Sequence, residues 1–155
     1  DREAVTRVFV NLGKAIAAKA PTGCRIADRI EAPRLAEAGA GMSAFCRLDI
    51  TGIEPELSAP APERLLAGDP QFRSWNVEDS GDGMYAGVWE STPGHWRIEY
   101  TEWEYCEILS GVSRVHEDGG ASHELVAGDR FILRPGFRGS WEVLQTTRKV
   151  YVIRA

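Results

Sequence analysis

Three side chains in the second half of this 155-residue chain have the types and spacing to do chemistry: Glu104, Cys106 and Lys149. Glu104 and Cys106 sit in the run E-Y-C-E-I-L. Side chains of a strand alternate between faces, so Glu104, Cys106 and Ile108 share one face and Tyr105, Glu107 and Leu109 the other. A carboxylate on a buried face is costly unless it is paired or hydrogen-bonded. Glu104 can therefore orient a ligand, act as a general acid or base, or ligate a metal; otherwise it is a carboxylate held by an internal cation. Lys149 is the only lysine after Lys19, in a region from Met42 onward that uses arginine ten times. An ammonium is a compact point charge whose pKa burial can move, which arginine is not. The bland reading of Lys149 is a rim lysine. Cys106 has no sequence-adjacent histidine to lower its pKa, so it reads first as a small core residue.

Other residue patterns exclude more than they suggest. The three histidines, His95, His116 and His123, do not form a metal-binding spacing, though His116 and His123 flank a turn and could face each other across a hairpin. Asp118-Gly119-Gly120 is a turn with no strand-to-helix context for a phosphate. Cys24, Cys46 and Cys106 show no C-x-x-C spacing, and free thiols fit a reducing cytoplasm. A net charge of −5 argues against nucleic acid as partner. No run approaches 18 apolar residues, so no membrane span is expected, and no secretion signal opens the chain.

The elements that must position these side chains fall in three parts. Residues 1–41 carry seven basic and five acidic residues, against eleven and eighteen in 42–155. This break marks 1–41 as a helical or partly flexible extension, with a helix over 1–20 ended by Pro21-Thr22-Gly23 and a second short helix over 24–41. Residues 42–71 read as a Pro/Ala linker and leading strand, with one helical turn possible. From Phe72 the pattern is β: strands are expected over 84–90, 96–101, 104–109, 112–117, 122–126, 130–134, 139–144 and 148–153, separated by Gly, Pro and Asp turns. Short strands at this spacing make a sandwich or barrel.

Two spacings narrow the fold. Glu104 and Gly111 are separated as E-x6-G, and Gly128, Pro135, Gly136 and Gly139 follow at fixed intervals. Around them stand Gly87-Val88-Trp89-Glu90, Pro93-Gly94, Ile108-Leu109-Ser110-Gly111, Ala127-Gly128-Asp129, Trp141-Glu142 and Arg148-Lys149. This set resembles the two motifs of the cupins. Within them it is similar to the small DUF861 / Cupin_3 proteins related to (S)-ureidoglycine aminohydrolase. Residues 1–18 also resemble a segment of dihaem cytochrome-c peroxidases, but no C-x-x-C-H haem site is present. That likeness and the charge break would both be explained if Met42 were the natural start.

The resemblance implies an all-β, RmlC-like jelly-roll barrel over 72–155, with the Glu104 face turned inward. The usual metal-ligating histidines fall here at Arg97 and Glu99, or at Ile98 and Tyr100, and at Gly139, so no metal and no cofactor are expected. The first pair would make a charged pocket and the second a mostly apolar one. Glu104 and Lys149 facing each other inside the barrel would take the place of a metal and its ligands. Arg97, Glu99, Tyr100, Cys106, Trp89 and Trp141 are the candidate pocket residues, with Trp103 a further aromatic at the mouth. The function expected is binding of a small polar organic molecule by a cytoplasmic homodimer. Its rivals are a metal-dependent enzyme with non-standard ligands around Glu104, and a non-catalytic accessory or sensing domain.

Overall fold

A computed structural model describes residues 43–155. The helices expected in 1–41 and the boundary at Met42 lie outside the described residues. Nine strands form one curled antiparallel sheet: β1 (Glu56–Ser58), β2 (Leu65–Gly68), β3 (Phe72–Asp79), β4 (Met84–Ser91), β5 (Gly94–Glu99), β6 (Trp103–Glu117), β7 (Ser122–Val126), β8 (Arg130–Leu133) and β9 (Arg138–Arg154). A 3-10 turn at Pro62–Arg64 is the helical turn read in the linker, but the linker also holds β1 and β2, which its proline content hid.

The sheet closes on itself because β6 and β9 are long. β9 pairs along its first half with β5, along its second half with β4, and along both halves with β6. The other edge of β6 takes β8 at Glu104–Glu107 and β7 at Val112–His116. The sequence pattern breaks each long strand in two at Gly111 and at Gln145-Thr146. The chain bends there instead of turning: the β6–β9 register shifts between Ile108 and Ser113, and Gly111 takes a φ of +90°. A side chain at Gly111 would collide with the Thr146 carbonyl, so only glycine permits this bend.

Alternation along the strands fills the interior. Tyr85 and Trp89 of β4, Trp96 and Ile98 of β5, Ile108 and Val115 of β6, Leu125 of β7, Leu133 of β8, and Trp141, Val143, Tyr151 and Ile153 of β9 form one buried cluster. Phe131 and Phe137 pack against it from one side. Aromatic rings dominate the layer: Trp89 lies 6.1 Å from Trp96 and 5.9 Å from Trp141, and Phe72 lies about midway at 5.2 and 4.9 Å from Trp89 and Trp96. Such tilted and edge-on contacts are the favoured ring geometries.

Candidate functional site

Glu104 and Lys149 meet in the middle of this barrel. Glu104 opens β6 with Leu133 of β8 and Ile153 of β9 as its sheet partners, and Lys149 enters from β9 opposite Trp89 and Ile108. Nζ of Lys149 donates to Oε1 of Glu104 at 2.8 Å, and both side chains are only 1% exposed. This is the pairing read from the lone lysine. A second Lys149 proton points at Sγ of Cys106, 3.3 Å away. The remaining side of the ammonium lies over two indole rings, 4.6 Å from the Trp141 centroid and 5.3 Å from that of Trp89. The ammonium is thus surrounded by a carboxylate, a thiol and two π faces, which compensate for the water it has lost.

Burial alone would pull the Lys149 ammonium toward neutrality. Cys106 and Glu104 facing it outweigh that, so its pKa is raised and the ammonium stays charged. The Cys106 thiol is pushed strongly upward, first by burial and then by Glu104, with Lys149 opposing. Tyr100 lies within reach of the same carboxylate, and burial and Glu104 together hold its phenol well above the ordinary range. Burial thus favours the protonated thiol at Cys106, and its partners favour the charged ammonium at Lys149.

Hydrogen bonding around the pair is incomplete. Oε2 of Glu104 has no partner, and the buried Nε1 atoms of Trp89, Trp96 and Trp141 have none either. Buried polar atoms without a partner are uncommon in folded interiors.

The alternation of β5 decides between the two residue pairs left open by the sequence. Ile98 and Tyr100 point inward and are 3% and 2% exposed. Arg97 and Glu99 point outward, which corrects their assignment as pocket residues. Arg97 pairs with Asp118 at 2.9 Å and Arg138 with Glu99 at 2.8 Å, around a shallow polar depression on the outer wall. Trp89, Trp141, Tyr100 and Cys106 are interior, though as packed core rather than as an open pocket wall. The histidine pairing is also corrected: His123 stands opposite Val115 and His116 opposite Ser122, so the two imidazoles lie on opposite faces. His116 instead lies 5.5 Å from His95 and hydrogen-bonds Ser122 and Glu142 on the outer face. Cys106 is a free, buried thiol.

A cleft of about 440 Å³ is lined by residues of β6, β7 and β8 and by Phe137, just before β9. Its walls include Val115, Leu125 and His123, and its floor Phe131, Leu133 and Phe137. Phe131 and Leu133 are the β8 partners of Cys106 and Glu104, and residues opposite each other in a ladder point to the same face. The Phe131 ring lies 6.0 Å from Trp141, whose other neighbour is the Lys149 ammonium. Phe131 and Trp141 thus link the cleft to the ion pair. These cleft residues were missed from sequence, although F-I-L after the Gly128-Asp129 turn alternates in the right phase.

Cupins commonly hold a metal where Glu104 stands. The residues here do not fit one: Ile98, Tyr100 and Gly139 offer no imidazole, and an oxygen of Glu104 is taken by an ammonium. Among the described residues no three His, Cys, Asp or Glu side chains converge.

Comparison with known proteins supports the barrel. Residues 78–151 match the family model of the EutQ-like cupin domain. No curated protein matches the chain. A DUF861-family protein of unknown function from Pseudomonas syringae pv. tomato DC3000 is 28% identical, with a TM-score of 0.61 over 68% of this chain and 46% of its own. The Clostridium difficile EutQ protein is 14% identical with a TM-score of 0.50, over 55% and 63%. A putative ethanolamine utilization protein Q from Salmonella typhimurium LT2 is 20% identical with a TM-score of 0.48, over 56% and 70%. The chain thus spans less than half of the Pseudomonas protein. The narrower likeness to ureidoglycine aminohydrolase, and that of residues 1–18 to a cytochrome-c peroxidase, are not among these findings. No helix among the described residues is long and apolar enough to cross a membrane.

Proposed function

We infer that this EutQ-like cupin domain binds a small polar organic molecule in the cleft above the Glu104–Lys149 pair, and does so without the usual cupin metal. One observation carries the reading: a cleft of about 440 Å³ has as its floor the sheet partners of Glu104 and Cys106, and Oε2 of Glu104 is buried without a partner. The volume is in the range of small-molecule sites. Its lining mixes apolar side chains with Glu117, His123, Glu124, Asp129 and Arg130, groups that could hydrogen-bond a polar ligand.

The test is a melt screen of the purified protein against a panel of small alcohols, amides, amino acids and sugars. A ligand at 100 times its Kd stabilises by about 2.7 kcal/mol. Such a shift in the wild type, lost in Glu104→Gln, supports the reading. No shift across the panel, or one untouched by Glu104→Gln, overturns it. As protein partner we propose a second copy of the chain: β1, β2, β7 and β8 each have an edge unpaired among the described residues, and Leu57, Leu66 and Leu109 are exposed. Light scattering at twice the 17.1 kDa chain mass is expected, and a monomer at working concentration refutes it.

A further inference from the structure

Phe131 lines the cleft, and its ring lies 6.0 Å from that of Trp141, which carries one of the unmatched Nε1 atoms and faces the Lys149 ammonium. It is only partly buried, unlike Trp141 behind it. It packs against the core cluster without belonging to its fully buried set, and it lies on β8, an edge strand of four residues held only by β6. Cys106, its partner across the ladder, is 0% exposed.

The charge balance inside sets what could enter. Glu104 and Lys149 already neutralise each other, so a charged visitor would bring an uncompensated charge into the barrel. A neutral molecule brings none. It needs a donor for Oε2 of Glu104, and it can accept from the indole N–H groups of Trp89, Trp96 or Trp141.

We propose that Phe131 is the gate between the cleft and the Glu104–Lys149 pair, and that it admits small neutral molecules carrying an N–H or O–H donor while excluding anions of the same size. The proposal rests on the cleft being the ligand site, but its test needs no natural ligand. Cys106 is a built-in reporter, and iodoacetamide and iodoacetate are a matched neutral and anionic pair of probes. In either reaction the sulfur of Cys106 forms a bond to carbon, iodide leaves, and the thiol proton passes to buffer.

Labelling of the Cys106 peptide is followed by mass spectrometry in native protein, each rate divided by that of the same reagent on the protein in denaturant. In Phe131→Ala, native labelling by iodoacetamide should be at least about tenfold faster than in wild type, because local opening no longer requires displacing a ring. Iodoacetate should gain much less. Leu125→Ala, in the cleft wall, is the control for simple destabilisation and should leave Cys106 protected. If Phe131→Ala does not fold, Phe131→Leu keeps an apolar floor with a smaller ring-free side chain and should show the same order of rates. Equal acceleration in Leu125→Ala overturns the gate. Equal acceleration by both reagents overturns the selection for neutral molecules. Either result leaves the melt screen to decide on its own whether the cleft binds anything.

Discussion

Removing one member of the Glu104–Lys149 pair tests whether the barrel is held by charges or merely tolerates them. The perturbations are Lys149→Met, Glu104→Gln and the double variant. In the wild type the two groups are 2.8 Å apart and 1% exposed, so solvent screens neither. Lys149→Met leaves the Glu104 carboxylate buried without its countercharge, and Oε2 has no partner to begin with. Breaking a fully buried pair from one side costs about 3–5 kcal/mol. For a domain whose whole stability is about 5–15 kcal/mol, that is a large fraction, well resolved by urea denaturation. The methionine has nearly the reach of lysine and can stay between the Trp89 and Trp141 rings. The glutamine loses its charge in place. The double variant should therefore cost less than the sum of the single changes by at least about 2 kcal/mol. The readout is the urea midpoint from tryptophan fluorescence, with constant slope required across the four proteins. Additive losses, or a Lys149→Met penalty below about 1 kcal/mol, would refute the idea that the pair is a coupled unit.

Alkaline pH should act through Cys106. Its thiol is held above the ordinary value of 9.0 by burial and by Glu104, so only the unfolded chain deprotonates first as pH rises. Stability is complete below the unfolded pKa and falls as pH climbs toward the folded one, by up to about 1.4 kcal/mol per pH unit. Urea midpoints between pH 8 and 10.5 should fall more steeply in wild type than in Cys106→Ala, and parallel curves would count against it. Gly139→Ala should destabilise severely, because a methyl there meets the His116 carbonyl, while Gly128→Ala meets nothing within 4 Å and should cost only about 1–2 kcal/mol for its φ of +95°; equal penalties by thermal melt would refute the packing argument. Elemental analysis of protein purified without chelator should give far less than stoichiometric Mn, Fe, Ni or Zn, since an ammonium faces Glu104 and Ile98, Tyr100 and Gly139 bring no imidazole to it. A full complement of any of them would overturn that reading.

The barrel was legible because its turns are written in glycine and proline, and its inward face in alternation. The same alternation placed Glu104 and Cys106 together, and composition alone singled out Lys149. What the sequence could not supply was phase. Arg97-Ile98-Glu99-Tyr100 alternates equally well either way, and only the Trp96–Trp141 pairing in the ladder fixes Ile98 and Tyr100 as inward. Gly111 looked like a turn because a positive φ serves both a turn and a bend, and the difference lies in β9, thirty-odd residues away in the chain. Leu57 and Leu65 were hidden in a Pro/Ala-rich stretch whose strands are three and four residues long, too short for a period to show. The cleft depends on where β8 lies against β6, a tertiary fact with no local signature.

The length of β9 has a consequence for how this barrel is made. Residues 138–154 are hydrogen-bonded to β4, β5 and β6 at once, with partners as remote in sequence as Met84 and Arg154. On the ribosome none of those three strands can complete its ladder until the last of β9 has left the exit tunnel. Until then β4, β5 and β6 present open edges and Trp89, Trp96 and Ile108 have no cover. Contacts this distant are closed late and slowly. A nascent chain that stalls before Arg138 is therefore a sheet with open sides and unburied indoles, the kind of species that chaperones hold and that otherwise aggregates.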